Sequence, residues 1–187
     1  MKTKFLVVTV AILTVASLTA CSSLQGSVTE NIDDRHVEYS LVKHDGGTVV
    51  FENGLGGRIE GWAKVFPEVA REASAFVYNR PGYGNSDPIS SPRDGTHVVD
   101  ELRLLLKRKG LNPPYVLVGH SVGGLYMQLF ARRYPEETSA LILVDSTHPA
   151  QFKGKGSPQN WPIWFRMLFG LATSAVEKEE FDAIDAT

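Results

Sequence analysis

Hydrophobic and polar positions along Arg35–Pro149 switch repeatedly between the two-residue alternation of a strand and the three- and four-residue spacing of a helix face. Val37, Tyr39 and Leu41 alternate with polar residues, the Asp45-Gly46-Gly47 turn signal follows, and Thr48–Glu52 is a second apolar run. This pattern predicts a hairpin. Trp62, Val65, Phe66 and Val69 then share one helical face, with Pro67 kinking the helix or opening a new first turn. Ser74–Asn79 reads as a short apolar strand. Val98, Leu102, Leu105 and Leu106 predict a second helix, with Thr96 as its N-cap and Gly110 as its stop. Tyr115–Gly119 is continuously apolar, as expected of a strand buried on both faces. Leu125, Leu129 and Phe130 mark a helix ending near Tyr134-Pro135, and Ala140–Val144 reads as another buried strand. Strands separated by helices imply an α/β fold with a mainly parallel sheet and helices on both faces. Beyond Pro149, two further helices are expected over Trp161–Ala172 and Val176–Ala186, with no strand after them.

The N-terminal segment follows another pattern. Lys2 and Lys4 precede the uncharged run Phe5–Ala20, and Cys21 follows. This reads as an export signal over residues 1–20, short for a spanning helix of about 20 apolar residues, with a retained anchor as the alternative. Leu18-Thr19-Ala20-Cys21 resembles the lipobox of bacterial lipoproteins, which implies lipid attachment at Cys21 and a place in the bacterial cell envelope. An ordinary cleaved signal with an incidental cysteine is the other reading. Residues 21–34 are polar and read as a tether. About 150 residues then remain, enough for a real core.

Composition narrows the function classes. With 43% hydrophobic and 21% charged residues and a formal charge of −2, the 187-residue chain fits one globular domain and offers no basic excess for nucleic acid. Cys21 is the only cysteine, so no disulfide forms within the chain. No Walker-type loop occurs, and the histidines lack metal-motif spacing. Gly54-Leu55-Gly56-Gly57 follows a strand, but Ile59 at the last fingerprint position argues against a dinucleotide loop. No cofactor or metal is expected.

Gly119-His120-Ser121-Val122-Gly123 fits G-x-S-x-G, directly after a buried strand and directly before a helix. A tight strand-to-helix turn exposes a serine hydroxyl and needs glycines where backbones pass closely. A purely structural serine in such a turn is the competing reading. Here the chain resembles the α/β-hydrolase superfamily over most of Arg35–Pro149. Val50–Gly57 is similar to the family's oxyanion loop after its third strand, with Asn53-Gly54 where His-Gly is common, and Arg80-Pro81-Gly82-Tyr83-Gly84-Asn85-Ser86 resembles the loop after its fourth. Asn79 stands where the family usually has aspartate.

The resemblance implies Ser121 as nucleophile and the N–H groups of Leu55 and Val122 as oxyanion donors. It implies an acid and then a histidine later in the chain. Asp145 and His148 are the candidates in that order, although the family places its histidine after an eighth strand and the acid usually after the seventh. Only six strands are counted here. The fold is therefore read as an α/β-hydrolase core over residues 35–150, incomplete after the sixth strand, with residues 151–187 starting a helical cap. The implied substrate is a small ester or acyl compound, attacked by a serine hydrolase. A defective product lacking its base, and amide hydrolysis, acyl transfer or cofactor-free peroxidation on the same fold, stay open. Epoxide and haloalkane hydrolysis are disfavoured because those relatives carry aspartate at the nucleophile position.

Overall fold

The computed structural model describes residues 24, 26–148, 150–151, 157 and 160–184. Residues 1–20, read above as an export signal, and Cys21 lie outside the described residues. Six strands form one sheet: β1 Val28–Ile32, β2 Arg35–Val42, β3 Thr48–Glu52, β4 Ser74–Tyr78, β5 Tyr115–His120 and β6 Thr138–Val144. Their order is β1-β2-β4-β3-β5-β6, with β1–β2 and β2–β4 antiparallel and the remaining pairs parallel. The helices are α1 Phe66–Val69, α2 Gly95–Arg108, α3 Val122–Arg133, α4 Ile163–Ala172 and α5 Ala175–Asp182. This is the expected α/β class.

Strand alternation divides the core between the two faces. Val50, Phe76 and Leu117 join Val98, Leu102, Leu106, Leu125 and Phe130 of α2 and α3 in one cluster. Their neighbours Phe51, Val77 and Val118 turn the other way, onto Trp62 and Phe66. Side chains of period two thus fill both faces of a central sheet, as the apolar runs require.

Four local expectations are corrected. First, β2 and β3 do not form a hairpin: β4 lies between them and pairs with both. All five residues of β4 are buried, so its backbone needs a strand on each side, and Asp45–Gly47 becomes a crossover bend. The hairpin is β1–β2 instead, its first strand and its turn lying within what reads as a tether. Asp33 and Asp34 stand at φ 50° and 62°, the two-residue left-handed turn that matches strand twist. Lys109 bonds Glu30 at 2.7 Å and the Tyr39 hydroxyl at 2.6 Å, and Arg108 bonds Asp33 at 3.0 Å, fastening this hairpin to the end of α2.

Second, the helical face Trp62–Val69 is split, with Pro67 in the second of its two expected roles: a 3-10 turn over Ile59–Trp62 precedes α1, which begins at Phe66 with Pro67 in its first turn. Third, the cap of α2 is Asp94 rather than Thr96. Its carboxylate accepts from the Thr96 and His97 N–H groups at 2.9 and 3.2 Å. Fourth, Ala140–Val144 is not buried on both faces. β6 closes one end of the strand order, leaving Ile142, Leu143 and Val144 exposed to 49%, 45% and 41%.

The Asp94 cap yields a stability prediction. Burial raises its pKa, but the His97 and Thr96 N–H groups and the His97 ring outweigh that and hold it below 3.8. Asp94→Ala should cost about 1 kcal/mol in urea denaturation at pH 7. Because the folded value is depressed, this advantage is complete above 3.8 and is lost as pH falls through the lower folded value. The wild-type and variant stabilities should therefore converge in strong acid.

Candidate active site

The turn from β5 into α3 places Ser121 at φ 52° and ψ −124°, a conformation that costs a non-glycine residue about 1–3 kcal/mol. Surrounding bonds hold it there. The Ser121 N–H donates to Val144 O at 3.1 Å, and its carbonyl accepts from Gly124 and Thr147 N–H, each at 3.0 Å. The flanking glycines answer to steric limits. A Cβ on Gly119 would lie 2.5 Å from the Gly124 Cα, and one on Gly123 would overlap the backbone oxygens of Glu52 and Asn53. Only a bare backbone lets the helix start this close to the end of β3.

That approach sets the loop after β3 beside the serine. A Cβ on Gly54 would stand 3.1 Å from both the Ser121 Cβ and the His120 Nδ1. Gly54–Gly57 forms a tight turn, with Gly57 N–H donating to Gly54 O at 3.1 Å and Gly56 at φ 68°. Leu55 occupies the second position of this turn. Val122 opens α3, where the first N–H groups have no intrahelical acceptor and the dipole favours negative charge. Ser121, Leu55 and Val122 therefore belong to one corner of the molecule.

Asp145 and His148 follow β6 on the surface. Asp145 sits at φ 44°. His148 Nδ1 accepts from Ala150 N–H at 3.1 Å, and the His148 backbone N–H donates to Gln151 Oε1 at 3.3 Å, closing a local turn. Among the described residues, no hydrogen bond joins the Ser121 hydroxyl to either side chain. Within the apolar segment Trp161–Ala172, Ile163–Ala172 forms α4, and Trp161 meets Phe165 and Phe169 edge to face and Phe181 of α5 at a tilt. A cavity of about 380 Å³ opens there, lined by Trp161, Met167, Phe169 and Phe181, without Ser121 in its wall. Cation ligation has no cluster of three His, Cys, Asp or Glu side chains among the described residues.

Sequence reasoning missed a buried ionic cluster behind the Gly54 turn. Arg80, Glu52 and Glu180 are each at most 1% exposed in their side chains. Arg80 Nη1 donates to Glu52 Oε1 at 2.5 Å and to Asn53 O at 2.7 Å, while Nη2 donates to Gly54 O at 2.7 Å and lies 3.0 Å from Glu180 Oε1. The Tyr78 hydroxyl donates to Glu52, and those of Tyr83 and Tyr126 donate to Glu180. Burial pushes the Glu52 pKa up against the pull of Arg80. Burial alone would lower the Arg80 value, but Glu180 and Glu52 outweigh it and raise it. A charge ending an apolar run, as Glu52 ends Thr48–Glu52, was the available signal.

Asn79 is fully buried, and its place is equally specific. Its Oδ1 accepts from Ile59 N–H at 3.0 Å and its Nδ2 donates to Glu38 Oε2 at 2.7 Å. Glu38 also accepts from the Asn85 N–H and side-chain amide at 2.7 and 3.0 Å. An aspartate at 79 would turn this donor into a second carboxylate facing the first.

Comparisons with known proteins agree with this geometry. The family model for the alpha/beta hydrolase fold matches residues 47–178. The uncharacterized protein YqjL of Bacillus subtilis is 34% identical over 100 residues, covering 54% of this chain and 40% of YqjL. A (lyso)-N-acylphosphatidylethanolamine lipase of Mus musculus is 27% identical over 135 residues, covering 67% of this chain and 39% of that lipase. A solved lipase candidate of Acinetobacter baumannii superposes with a TM-score of 0.68 at 21% identity, over 86% of this chain and 64% of the other. The chain thus spans well under half the length of these two curated relatives.

The Asn79 network gives a direct test. Asn79→Asp should destabilise the protein by about 3 kcal/mol at pH 7, since two buried carboxylates would face each other. The loss should shrink as pH falls and one of them takes a proton. Urea melts of variant and wild type at pH 7 and pH 5 check both statements.

Proposed function

Since this chain belongs to the alpha/beta hydrolase fold family, we propose that it is a serine hydrolase acting on carboxylic esters through Ser121. The observation that carries this reading is the backbone of Ser121, held at φ 52° between β5 and α3 with the Gly54 turn against its Cβ. A structural serine has no need of this strain, whereas a nucleophile gains an exposed oxygen at the head of a helix.

In this mechanism the Ser121 Oγ attacks the ester carbonyl carbon, and its proton passes to a base. The carbonyl oxygen takes up negative charge facing the Leu55 and Val122 N–H groups. Each such donor contributes about 2.7–4 kcal/mol of transition-state stabilisation in studied cases. Collapse breaks the ester bond, the leaving alkoxide receives the proton, and water later releases the acid from the acyl-serine. Asp145 and His148 are the proposed acid and base, in the chain order that the family follows.

A second reading, a chain that keeps the elbow but has no proton acceptor for it, is favoured by one observation. His148 is bonded to Ala150 and Gln151, and nothing among the described residues links it to Ser121. Amide hydrolysis, acyl transfer and cofactor-free peroxidation use the same corner and are separated from esterolysis by substrate panels.

A fluorophosphonate probe decides between the two main readings. The folded protein should label at Ser121, and Ser121→Ala should abolish both labelling and turnover of short-chain p-nitrophenyl esters. Absence of labelling on correctly folded protein rejects the hydrolase reading. His148→Ala should reduce labelling if His148 is the base, and unchanged labelling removes it from the mechanism.

We also propose an envelope location, with lipid on Cys21 holding the protein at a membrane. The Lys2/Lys4, apolar run and Leu18–Cys21 pattern supports it. Among the described residues, no helix is long and apolar enough to cross a membrane. Metabolic labelling with an alkyne fatty acid in a bacterial host should mark the wild type and fail with Cys21→Ser. Equal labelling of both rejects lipidation at this cysteine.

A further inference from the structure

Resting on the reading of Ser121 as nucleophile and Leu55 as an oxyanion donor, we propose that Arg80 is a positioning residue for the Leu55 N–H and that Glu180 holds it, so that docking of α5 sets the oxyanion loop.

The peptide between Gly54 and Leu55 carries both relevant groups. In a trans peptide the C=O and N–H point in opposite directions, so fixing one fixes the other. Arg80 Nη2 donates to Gly54 O at 2.7 Å, and Nη1 to Asn53 O at 2.7 Å. With both carbonyls drawn toward the guanidinium, the Leu55 N–H is turned away from Arg80. The same Gly54 oxygen accepts from Gly57 N–H at 3.1 Å, closing the turn.

Arg80 is in turn held from three sides. Glu52 at the end of β3 takes Nη1 at 2.5 Å, and Glu180 of α5 lies 3.0 Å from Nη2. The rings of Tyr83 and Tyr126 flank its guanidinium carbon at 5.0 and 5.7 Å, and their hydroxyls reach Glu180 at 2.6 and 3.0 Å. A planar fork meets two carbonyls and two carboxylates at once, which an ammonium cannot do.

Glu180 is the only member of this set that comes from the helical segment after β6. That helix also lies against the loops themselves. A Cβ on Gly56 would overlap the Glu177 carboxylate, and one on Gly82 would stand 2.9 Å from Val176 Cγ2. Removing α5 would leave Arg80 with one carboxylate in place of two and uncover the outer side of the Gly54–Gly57 turn. The helix that follows the core is therefore coupled to the donor through one buried side chain.

The test compares amide hydrogen exchange in the full protein with Glu180→Gln and with Tyr126→Phe, which removes a single hydrogen bond to Glu180. The Gly57 amide should exchange about ten-fold faster in Glu180→Gln and less so in Tyr126→Phe, while Leu117 and Val118 of β5 stay unchanged. In ester turnover, kcat should fall about ten-fold in Glu180→Gln with KM within about two-fold, the signature of a lost transition-state contact. If Glu180→Gln does not fold, Tyr126→Phe carries the comparison. Equal acceleration in the turn and in β5, or an unchanged Gly57 amide, overturns the proposal. If the wild type neither labels at Ser121 nor turns over ester, the nucleophile reading fails, and the exchange ratio still decides whether α5 holds the loop.

Discussion

A guanidinium at 1% exposure can be kept only if its charge is answered, and the arrangement around Arg80, which meets both Nη groups and leaves Nε without a partner among the described residues, follows from that requirement. The answering groups come from the ends of β3 and β4, from the helix after β5 and from α5, so distant parts of the chain must close on one guanidinium. Such a cluster adds little net stability compared with apolar packing, but it tolerates few alternatives in placement. The loop beside Ser121 inherits its shape from this constraint, and the glycines of the elbow allow the approach that makes the inheritance possible.

Much of the architecture was legible because apolar periodicity reports burial. β3, β4, β5, α2 and α3 follow from runs such as Val116–Val118 and the Val98/Leu102/Leu106 face, and each lies within a residue or two of its expected place. Pairing was less legible. The bend at Asp45–Gly47 reads as a hairpin turn, yet β4 intervenes, because strand order is decided by which backbones must be covered on both sides. β1 was hidden by its polar composition, since an exposed edge strand has little apolar signal to give. Asp33-Asp34, two residues tolerant of left-handed angles between short alternating runs, was the sign available.

The candidate site divides along the same line. Ser121 could be read from its neighbours in sequence because a sharp strand-to-helix turn needs local glycines. Arg80, Glu52 and Glu180 could not be assembled that way, being separated by 28 and about 100 positions and joined only by the fold. Asn79 shows the reverse case. A departure from the family's usual aspartate is explained by Glu38 on the neighbouring strand β2, a partner that only strand pairing brings near.

Ser121 stands where glycine would rest more easily, so an exchange to glycine would relieve about 1 kcal/mol of backbone strain. A chain that gained stability by that exchange would give up the oxygen on which the proposed reading depends, so at this one position stability and chemistry pull in opposite directions.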